Sequence, residues 1–339
     1  MLKVAIIGAS GYTGAELLRL VAQHPEFEVA LATGDTQAGT RAADLYPSLG
    51  GRYPDLVFES FDPDRLAGID VAFLGLPHEA SLELAPRLVG AVRCVVDLSA
   101  AYRLKDASLY PRWYGFAHDQ PSLLAEAVYG LPETHRGELP GATMIATPGC
   151  HVTAATLALA PLVEAGLVAR TGVVVNSITG VSGAGRALKH SSQFCTVDED
   201  VTAYGLLDHR HTPEIEQEVG AQVLFTPHLA PMNRGILSTC YGRPDSDSVS
   251  TGTLLEALRE AYAGEPFVVV TDGSPSTKAT LGSNAAHVTA RFDERTNTVI
   301  TICAIDNLSK GASGGAVQAA NVALGLPETA GLATVGVYP

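Results

Sequence analysis

The stretch LKVAIIGASGYTG, at Leu2–Gly14, decides the fold that we expect for the first half of this chain. Its apolar part, Leu2–Ile7, has the composition of a buried parallel strand. A glycine-rich turn follows, and apolar residues then recur on one helical face over Ala15–His24. A second strand is predicted at Phe27–Ala32. Strand, glycine turn, helix and strand in this order form a βαβ unit.

The glycines of the turn are spaced as GxxGxxG, at Gly8, Gly11 and Gly14. A helix N-terminus attracts anions, and glycine lets the backbone approach a bound pyrophosphate closely. The commoner fingerprint is GxGxxG, and a glycine pattern alone is weak. Its position between a strand and an amphipathic helix strengthens it. The sequence therefore predicts a dinucleotide-binding domain.

Strands and helices continue to alternate through the first half. We predict a strand at Ile69–Leu74, a helix at Ser81–Val89 and a strand at Cys94–Asp97. Such alternation is typical of a Rossmann-like, doubly wound parallel sheet, in which ligands bind beyond the carboxyl ends of the strands. Residues 104–140 show no clear period and are predicted to be an irregular surface excursion.

The second half is rich in strands and poor in helices, which favours an α+β domain on a mostly antiparallel sheet. We expect a dinucleotide-binding domain at 1–149, with the C-terminal helical segment 307–339 packing back on it, and a catalytic and dimerisation domain at 150–306. The strands predicted there are Gly172–Ile178, Val223–Thr226, Ile236–Tyr241, Phe267–Val270, His287–Phe292 and Thr298–Ala304, with a helix at Thr253–Ala263.

Composition excludes several classes of protein. The 339 residues are 46% hydrophobic, as in a folded protein, and the net charge of −14 does not suit general nucleic-acid binding. The sequence shows neither a signal peptide nor a membrane-length apolar run. Five scattered cysteines form neither a disulfide framework nor a zinc pattern, so we predict a reducing cytoplasm.

One cysteine stands out by its position. Cys150 directly follows a Pro-Gly turn signal and precedes a helix-compatible run from Val152 to about Ala165. The start of a helix favours a thiolate, the form that attacks carbonyl and acyl phosphate groups. The alternative is that Cys150 is a small buried hydrophobic residue.

Thiolate chemistry coupled to hydride transfer also needs a proton carrier. His211 is the candidate, because Thr212 as N-cap and Pro213 at the first helical position would hold it still, and Glu214 could orient it. His209 lies two residues away, so a metal site is an alternative, but no third ligand stands out.

Anionic substrates need cations. Basic residues beside glycine, histidine or loop signals are Arg103, Arg186, Lys189, Arg210 and Arg234. Each alone fits a surface cation, but we expect one or two of them to bind an anion in the cleft. Arg103, Arg186 and Lys189 are the predicted substrate-binding residues.

Motifs in order over nearly the whole chain resemble the N-acetyl-γ-glutamyl-phosphate reductase family, relatives of the aspartate-semialdehyde dehydrogenases. The Pro-Gly-Cys form of the cysteine motif separates the two groups. The matching stretches are Gly8–Leu17, Asp97–Arg103, Tyr129–Glu133, Thr147–Cys150, Gly180–Arg186, His209–Glu214, Pro227–Gly235 and Asp306–Gln318.

The resemblance implies NADPH-dependent reduction of N-acetyl-γ-glutamyl phosphate to the semialdehyde, with release of phosphate. It implies that Cys150 is the nucleophile, that His211 is the acid and base, and that Glu214 supports His211 or the substrate. It also implies a dimer or tetramer. The implied cofactor-binding residues are Gly8, Ser10, Gly11, Tyr12, Thr13, Gly14 and Thr33, with Ser182, Gly183, Asn307 and Gly311 on the nicotinamide side.

One departure concerns the cofactor. Members of the family often carry Ser-Arg after the second strand, whereas this chain has Gly34-Asp35. An acidic residue there favours the ribose of NAD. Arg41 is an alternative cation for the 2′-phosphate of NADP, and NADP(H) is the predicted cofactor.

Two other functions are compatible with the residues. One is an aspartate-semialdehyde dehydrogenase or a related phosphorylating aldehyde dehydrogenase that acts on another acyl phosphate. Such an enzyme would share the fold and the thiolate chemistry. The other is a redox-sensing dinucleotide-binding regulator in which Cys150 only packs.

Overall fold

The computed structural model describes residues 1–338, which form two compact units. The first unit contains Met1–Pro148 and Ala312–Leu332, and the second contains Gly149–Gly311 and residues 333–338. The chain therefore passes from the first unit to the second directly before Cys150. Within residues 1–338, no helix is both long enough and apolar enough to cross a membrane.

The first unit is built on a six-stranded sheet in the order β2-β1-β3-β4-β6-β5, in which every pair is parallel. The prediction of a Rossmann-like parallel sheet is confirmed. Its strands are β1 (Leu2–Ile7), β2 (Phe27–Ala32), β3 (Val71–Leu74), β4 (Cys94–Asp97), β5 (Val128–Tyr129) and β6 (Met144–Ala146). Its helices are α1 (Tyr12–Val21), α2 (Ala42–Leu45), α3 (His78–Leu88), α4 (Tyr110–Trp113), α5 (Pro121–Glu126), α6 (Pro132–His135) and, from the C-terminal segment, α12 (Gly314–Leu324).

The prediction for residues 104–140 was wrong. This region contains α4, α5, α6 and β5, and the Tyr110 ring at its centre is fully buried. The Leu104 amide donates to the Tyr110 hydroxyl at 3.1 Å, and the rings of Phe116 and His118 pack against Tyr110. Helices of four to six residues are too short to show a 3.6-residue period, which is why the pattern was missed.

The second unit is built on a seven-stranded sheet in the order β11-β12-β13-β10-β7-β9-β8. Only the β7–β9 and β11–β12 pairs are parallel, so the predicted mostly antiparallel sheet is confirmed. Its strands are β7 (Val173–Gly180), β8 (Thr202–Ala203), β9 (Val223–Ala230), β10 (Ile236–Gly242), β11 (Val268–Val270), β12 (Ala286–Asp293) and β13 (Thr298–Ile305). Its helices are α7 (Cys150–Glu164), α8 (Phe194–Val197), α9 (Thr212–Val219), α10 (Thr251–Ala261) and α11 (Thr277–Thr280).

Side chains on the strands of this sheet alternate between its two faces. One face packs against α7, α9 and α10 and forms the core of the unit, with Val175, Cys240 and Cys303 fully buried. The other face carries half-buried aliphatic side chains, among them Ile178 and Ile302. Eleven of the fifteen residues of α7 are buried, so this helix lies in the core of the unit, and Cys150 is its first residue.

Candidate active site

The glycine turn of the first unit has no space for side chains at two of its three glycines. Gly8 has a φ of +92°, and a Cβ there would lie 2.4 Å from the Gly75 carbonyl oxygen. A Cβ on Gly14 would lie 2.4 Å from the Cα of Ala9, so this glycine lets α1 pack closely on β1. At Gly11 the nearest atom would be 3.6 Å away. The space in front of Gly11 therefore stays open.

The start of α1 suits an anion. The helix begins at Tyr12, its N-cap is Gly11, and no side chain caps it. Amide groups in the first turn of a helix lack intrahelical acceptors and attract phosphate. The residues present therefore fit the diphosphate of a dinucleotide.

Neighbouring side chains hold this turn in place. The Gly8 amide donates to the Thr33 hydroxyl at 3.2 Å, and Tyr46 donates to the Ser10 carbonyl at 2.8 Å. Ser313 donates to the Thr13 carbonyl at 2.8 Å. Thr33 is only 3% exposed, so it supports the turn from beneath.

The predicted cations differ in their surroundings. Arg103 is buried, and its guanidinium donates to the carbonyls of Thr147 at 2.6 Å and Leu98 at 2.8 Å. Arg186 is half-buried in the loop after β7, whereas Lys189 is exposed and its ammonium lies 3.5 Å from the Ala184 carbonyl.

The three predicted catalytic residues come together in the second unit. Cys150 is the half-buried first residue of α7, whose N-cap, Gly149, provides no side-chain cap. The Gly149 amide donates to a carboxylate oxygen of the fully buried Glu214 at 2.9 Å. A Cβ on Gly149 would lie 2.5 Å from Nε2 of His211, so the imidazole packs directly against the residue before the cysteine.

Thr212 is the first residue of α9 and His211 is its N-cap, so the predicted N-cap was displaced by one residue. His209 and His211 lie in the loop that precedes α9. Among residues 1–338, no group of histidine, cysteine and acidic side chains is arranged to hold a metal ion.

Four rings pack together next to the start of α7. The centroid of His151 lies 5.7 Å from that of His211 and 5.8 Å from that of His209, and the two latter rings are 4.8 Å apart. Tyr204 packs edge-on against His209 at 5.5 Å. His151 and Tyr204 were not predicted, although the adjacency of His151 to Cys150 was a usable signal.

Burial keeps two of these histidines neutral. Desolvation, and secondarily the nearby His209, lowers the pKa of His151 to about 3. Desolvation, followed by the charge of Arg210, lowers the pKa of His209 to about 4. The His211 amide donates to Nδ1 of His209 at 3.1 Å, which places the His209 proton on Nε2.

The predicted nicotinamide-side residues of this unit form a connected network. Asn307 donates to the Ser182 hydroxyl at 2.9 Å and accepts from the Gly235 amide at 2.7 Å. Beside it, Asp306 accepts from Arg234 at 2.9 Å. A Cβ on Gly311 would lie 2.9 Å from the Cβ of Cys150, so only glycine fits there without displacement.

Comparisons with known proteins identify the family of the chain and agree with its fold. Residues 3–142 match the family model described as semialdehyde dehydrogenase, NAD binding domain, and residues 150–307 match semialdehyde dehydrogenase, dimerisation domain. Among solved structures, aspartate semialdehyde dehydrogenase II from Vibrio cholerae is similar, with a TM-score of 0.72 and 16% identity over 95% of this chain and 98% of that one. The enzyme from Candida albicans has a TM-score of 0.71 at 16% identity, covering 95% of this chain and 98% of its own.

Fold and site therefore define an oxidoreductase of the semialdehyde dehydrogenase class with a nicotinamide-dinucleotide domain. The N-acetyl-γ-glutamyl-phosphate reductase of Geobacter sulfurreducens is 47% identical over 100% of both chains. The reductase of Symbiobacterium thermophilum is 46% identical over 100% of this chain and 99% of its own. This chain belongs to the N-acetyl-γ-glutamyl-phosphate reductase family, as the sequence motifs predicted.

The neutral histidines predict a pH-dependent stability. Both have folded-state pKa values far below the ordinary 6.5, so between about pH 4 and 6.5 the unfolded chain binds protons that the folded chain does not. The free energy of unfolding should therefore decrease as the pH is lowered through this range. His151→Phe should reduce the slope by about 1.4 kcal/mol per pH unit in urea unfolding at pH values well below 6.5.

Phe225→Leu is the matched control, because Phe225 packs against both rings but does not titrate. It should lower the stability equally at each pH. An unchanged slope in His151→Phe would show that His151 is protonated in the folded protein.

Proposed function

We propose that this chain reduces N-acetyl-γ-glutamyl phosphate to N-acetylglutamate 5-semialdehyde and releases phosphate, with NADPH as the reductant, as a step of arginine biosynthesis. The observation that carries the proposal is Cys150 at an uncapped helix start, with His211 packed against Gly149. Relatives that match this chain over its full length at 46–47% identity are named N-acetyl-γ-glutamyl-phosphate reductase, which supports the choice of substrate.

Cys150 would attack the acyl carbon as a thiolate. A carbon–sulfur bond forms, the bond from the acyl carbon to the phosphate oxygen breaks, and a thioester remains on the protein. The positive end of the α7 dipole and the first-turn amides stabilise the thiolate. A thiol nucleophile needs reducing surroundings, so the cytoplasm stays our prediction for its compartment.

NADPH, when bound, would supply the hydride that reduces the thioester. His211 takes the thiol proton before attack, protonates the tetrahedral oxyanion, and removes that proton again as the carbon–sulfur bond breaks. Glu214 acts as a positioning residue, because its carboxylate holds the Gly149 amide and its own helix begins next to His211.

Cys150→Ala tests the thioester. We expect wild type to reduce NADP⁺ in the presence of N-acetylglutamate semialdehyde and phosphate, and we expect the variant to lose at least about a thousandfold in kcat because the nucleophile is absent. Absorbance of the reduced cofactor measures the rate. Cys195→Ala is the control, because Cys195 is an exposed thiol on α8.

Residual activity of Cys150→Ala near the wild-type rate would contradict the covalent mechanism. If aspartate semialdehyde turned over and the acetylated substrate did not, the mechanism would stand and the substrate would be wrong.

The cofactor proposal depends on the segment after β2. Asp35 begins an exposed turn there, and Arg41 forms a bidentate pair with Asp44 at 2.8 and 3.0 Å. Both residues of that pair are more than half exposed, so solvent screens the pair and Arg41 can turn toward another anion. We propose that Arg41 binds the 2′-phosphate of NADP(H).

Wild type should accordingly have a higher kcat/KM for NADPH than for NADH. Arg41→Ser should lower the value for NADPH about tenfold, because one charge-assisted contact is lost, and should leave the value for NADH unchanged. Arg112→Ser, at an exposed arginine on α4, is the control. A preference of wild type for NADH would overturn the proposal.

We also propose that the second unit forms a homodimer through the open face of its sheet, with a tetramer as the alternative. Half-buried apolar side chains on adjacent strands make this face suitable for a second copy, and the matching family model is described as a dimerisation domain. These side chains are Val174, Ile178, Leu237, Tyr241, Ile300 and Ile302.

Sedimentation equilibrium should give twice or four times the chain mass of 35.3 kDa. Ile302→Lys should shift the mass toward the single chain, because a charge would be buried in the interface. Val57→Lys, at an exposed position of the first unit, should not. A monomeric wild type would contradict the proposal.

A further inference from the structure

Two serines face the core where aliphatic side chains would be expected. Ser177 on β7 and Ser238 on β10 are direct cross-strand partners, on the same face as the buried Val175 and Cys240. Both serines are fully buried, and their hydroxyl oxygens lie 2.8 Å apart. The pair lies beneath the start of α7, within reach of His151.

The number of protons fixes the direction of these hydrogen bonds. Two hydroxyls carry two donor protons, and the bond between them uses only one. Within the described chain, the Ser238 hydroxyl has Ser177 as its sole hydrogen-bond partner. Leaving a buried donor unsatisfied costs about 1–3 kcal/mol, so Ser238 donates to Ser177, and Ser177 donates to the next acceptor. That acceptor is Nδ1 of His151, at 2.7 Å.

The serine pair therefore determines the tautomer of His151. Its ring is neutral and carries one N–H and one lone pair. Because Nδ1 accepts, the proton is on Nε2 and donates to the Tyr204 hydroxyl oxygen, 3.1 Å away. The Tyr204 hydroxyl accepts in this bond, so its own O–H group can donate to another acceptor.

Tyr204 belongs to the ring cluster that contains the proposed proton carrier His211. Its ring packs against His209, which packs against His211. Burial, and then the negative charge of Cys150, raises the pKa of Tyr204, so its hydroxyl stays protonated within electrostatic reach of the thiolate.

We propose that Ser238, Ser177 and His151 are positioning residues that direct the Tyr204 hydroxyl proton toward the oxyanion formed when Cys150 is acylated and reduced. The proposal rests on the thioester reaction proposed above. In this proposal Tyr204 only donates a hydrogen bond, and no proton is transferred between Ser238, Ser177, His151 and Tyr204. A preorganised donor of this kind stabilises the transition state more than the ground state.

Nitrogen NMR of protein labelled with ¹⁵N-histidine tests the tautomer without any turnover. We expect the signals assigned to His151, by their absence in His151→Gln, to show a protonated Nε2 and an unprotonated Nδ1 at neutral pH. A protonated Nδ1 would contradict the proposed direction of the hydrogen bonds from Ser238 to Tyr204. This measurement needs no substrate. It therefore distinguishes an incorrect hydrogen-bond direction from an incorrect proposed function.

Kinetics of the holoenzyme tests the role of the donor. Tyr204→Phe and His151→Phe should each lower kcat about tenfold to a hundredfold with little change in KM, since the contact is made mainly in the transition state. The double variant should be no slower than either single variant, because His151 acts through Tyr204. His151→Gln should recover most of kcat, because its amide can accept from Ser177 and donate to Tyr204.

Purely structural roles would give another pattern. Additive losses in the double variant, or a His151→Gln enzyme as slow as His151→Phe at equal thermal stability, would overturn the proposal. If wild type failed to turn over the acyl phosphate, the function proposed above would be wrong. The NMR result alone would then test the direction of the hydrogen bonds.

Discussion

The hydrogen bond from the Gly149 amide to the Glu214 carboxylate is the constraint on which the thiol centre depends. It joins residues 65 positions apart and ties the start of α7 to the first turn of α9. Cys150 is the first residue of one helix and His211 directly precedes the other, so fixing the two helix starts also fixes the thiol relative to the imidazole. Glycine is required at 149, because a Cβ would occupy the position of the imidazole.

A second junction holds the remaining loops of this unit. The buried Asp306 accepts from Arg234 and from the amides of Gly282, Leu308 and Ser309, at 2.7–3.0 Å. Asn307 continues the junction to Ser182 and Gly235. One acidic side chain therefore sets several loops at once. Such a carboxylate is stable in the core because backbone amides and a guanidinium replace its hydration.

Sequence patterns predicted the elements whose burial follows a short period. β1, β2 and β4 were predicted at the residues where they occur, and six of the seven strands of the second sheet within a few residues, since alternation and apolar runs are local properties. The two-residue strand β8 was not predicted. Cys150, His211 and Glu214 were predicted as a group because each is next to a helix start, which proline and glycine mark in the sequence. The helix-start signal for α9 was correct to within one residue.

The parts that were not predicted depend on contacts between distant residues. His151 is marked in the sequence only by its position next to Cys150, because its partners Ser177 and Ser238 lie on β7 and β10, far away in the sequence. The aromatic packing around Tyr110 stabilises helices that have no period of their own. Asp306 was recognised only as part of a motif, because its partners come from loops whose positions no local pattern specifies. Local sequence defines which residues can react, and tertiary packing defines which residues hold them.

The neutral rings around Cys150 have a consequence for catalysis. At neutral pH the low pKa values of His151 and His209 leave both uncharged, so neither would add a cation beside the thiolate of the proposed mechanism. In the mechanism proposed above, the dipoles of the α7 amides, the Nε2–H of His209 and the hydroxyl of Tyr204 would add to the charge of protonated His211 in stabilising negative charge. Fixed dipoles can be aimed at the position where charge develops during the reaction, so they would stabilise the transition state more than the ground state. Burial keeps the His151 and His209 rings neutral, and their hydrogen bonds set the direction of the N–H and O–H dipoles. The proposed chemistry of this unit therefore depends directly on its packing.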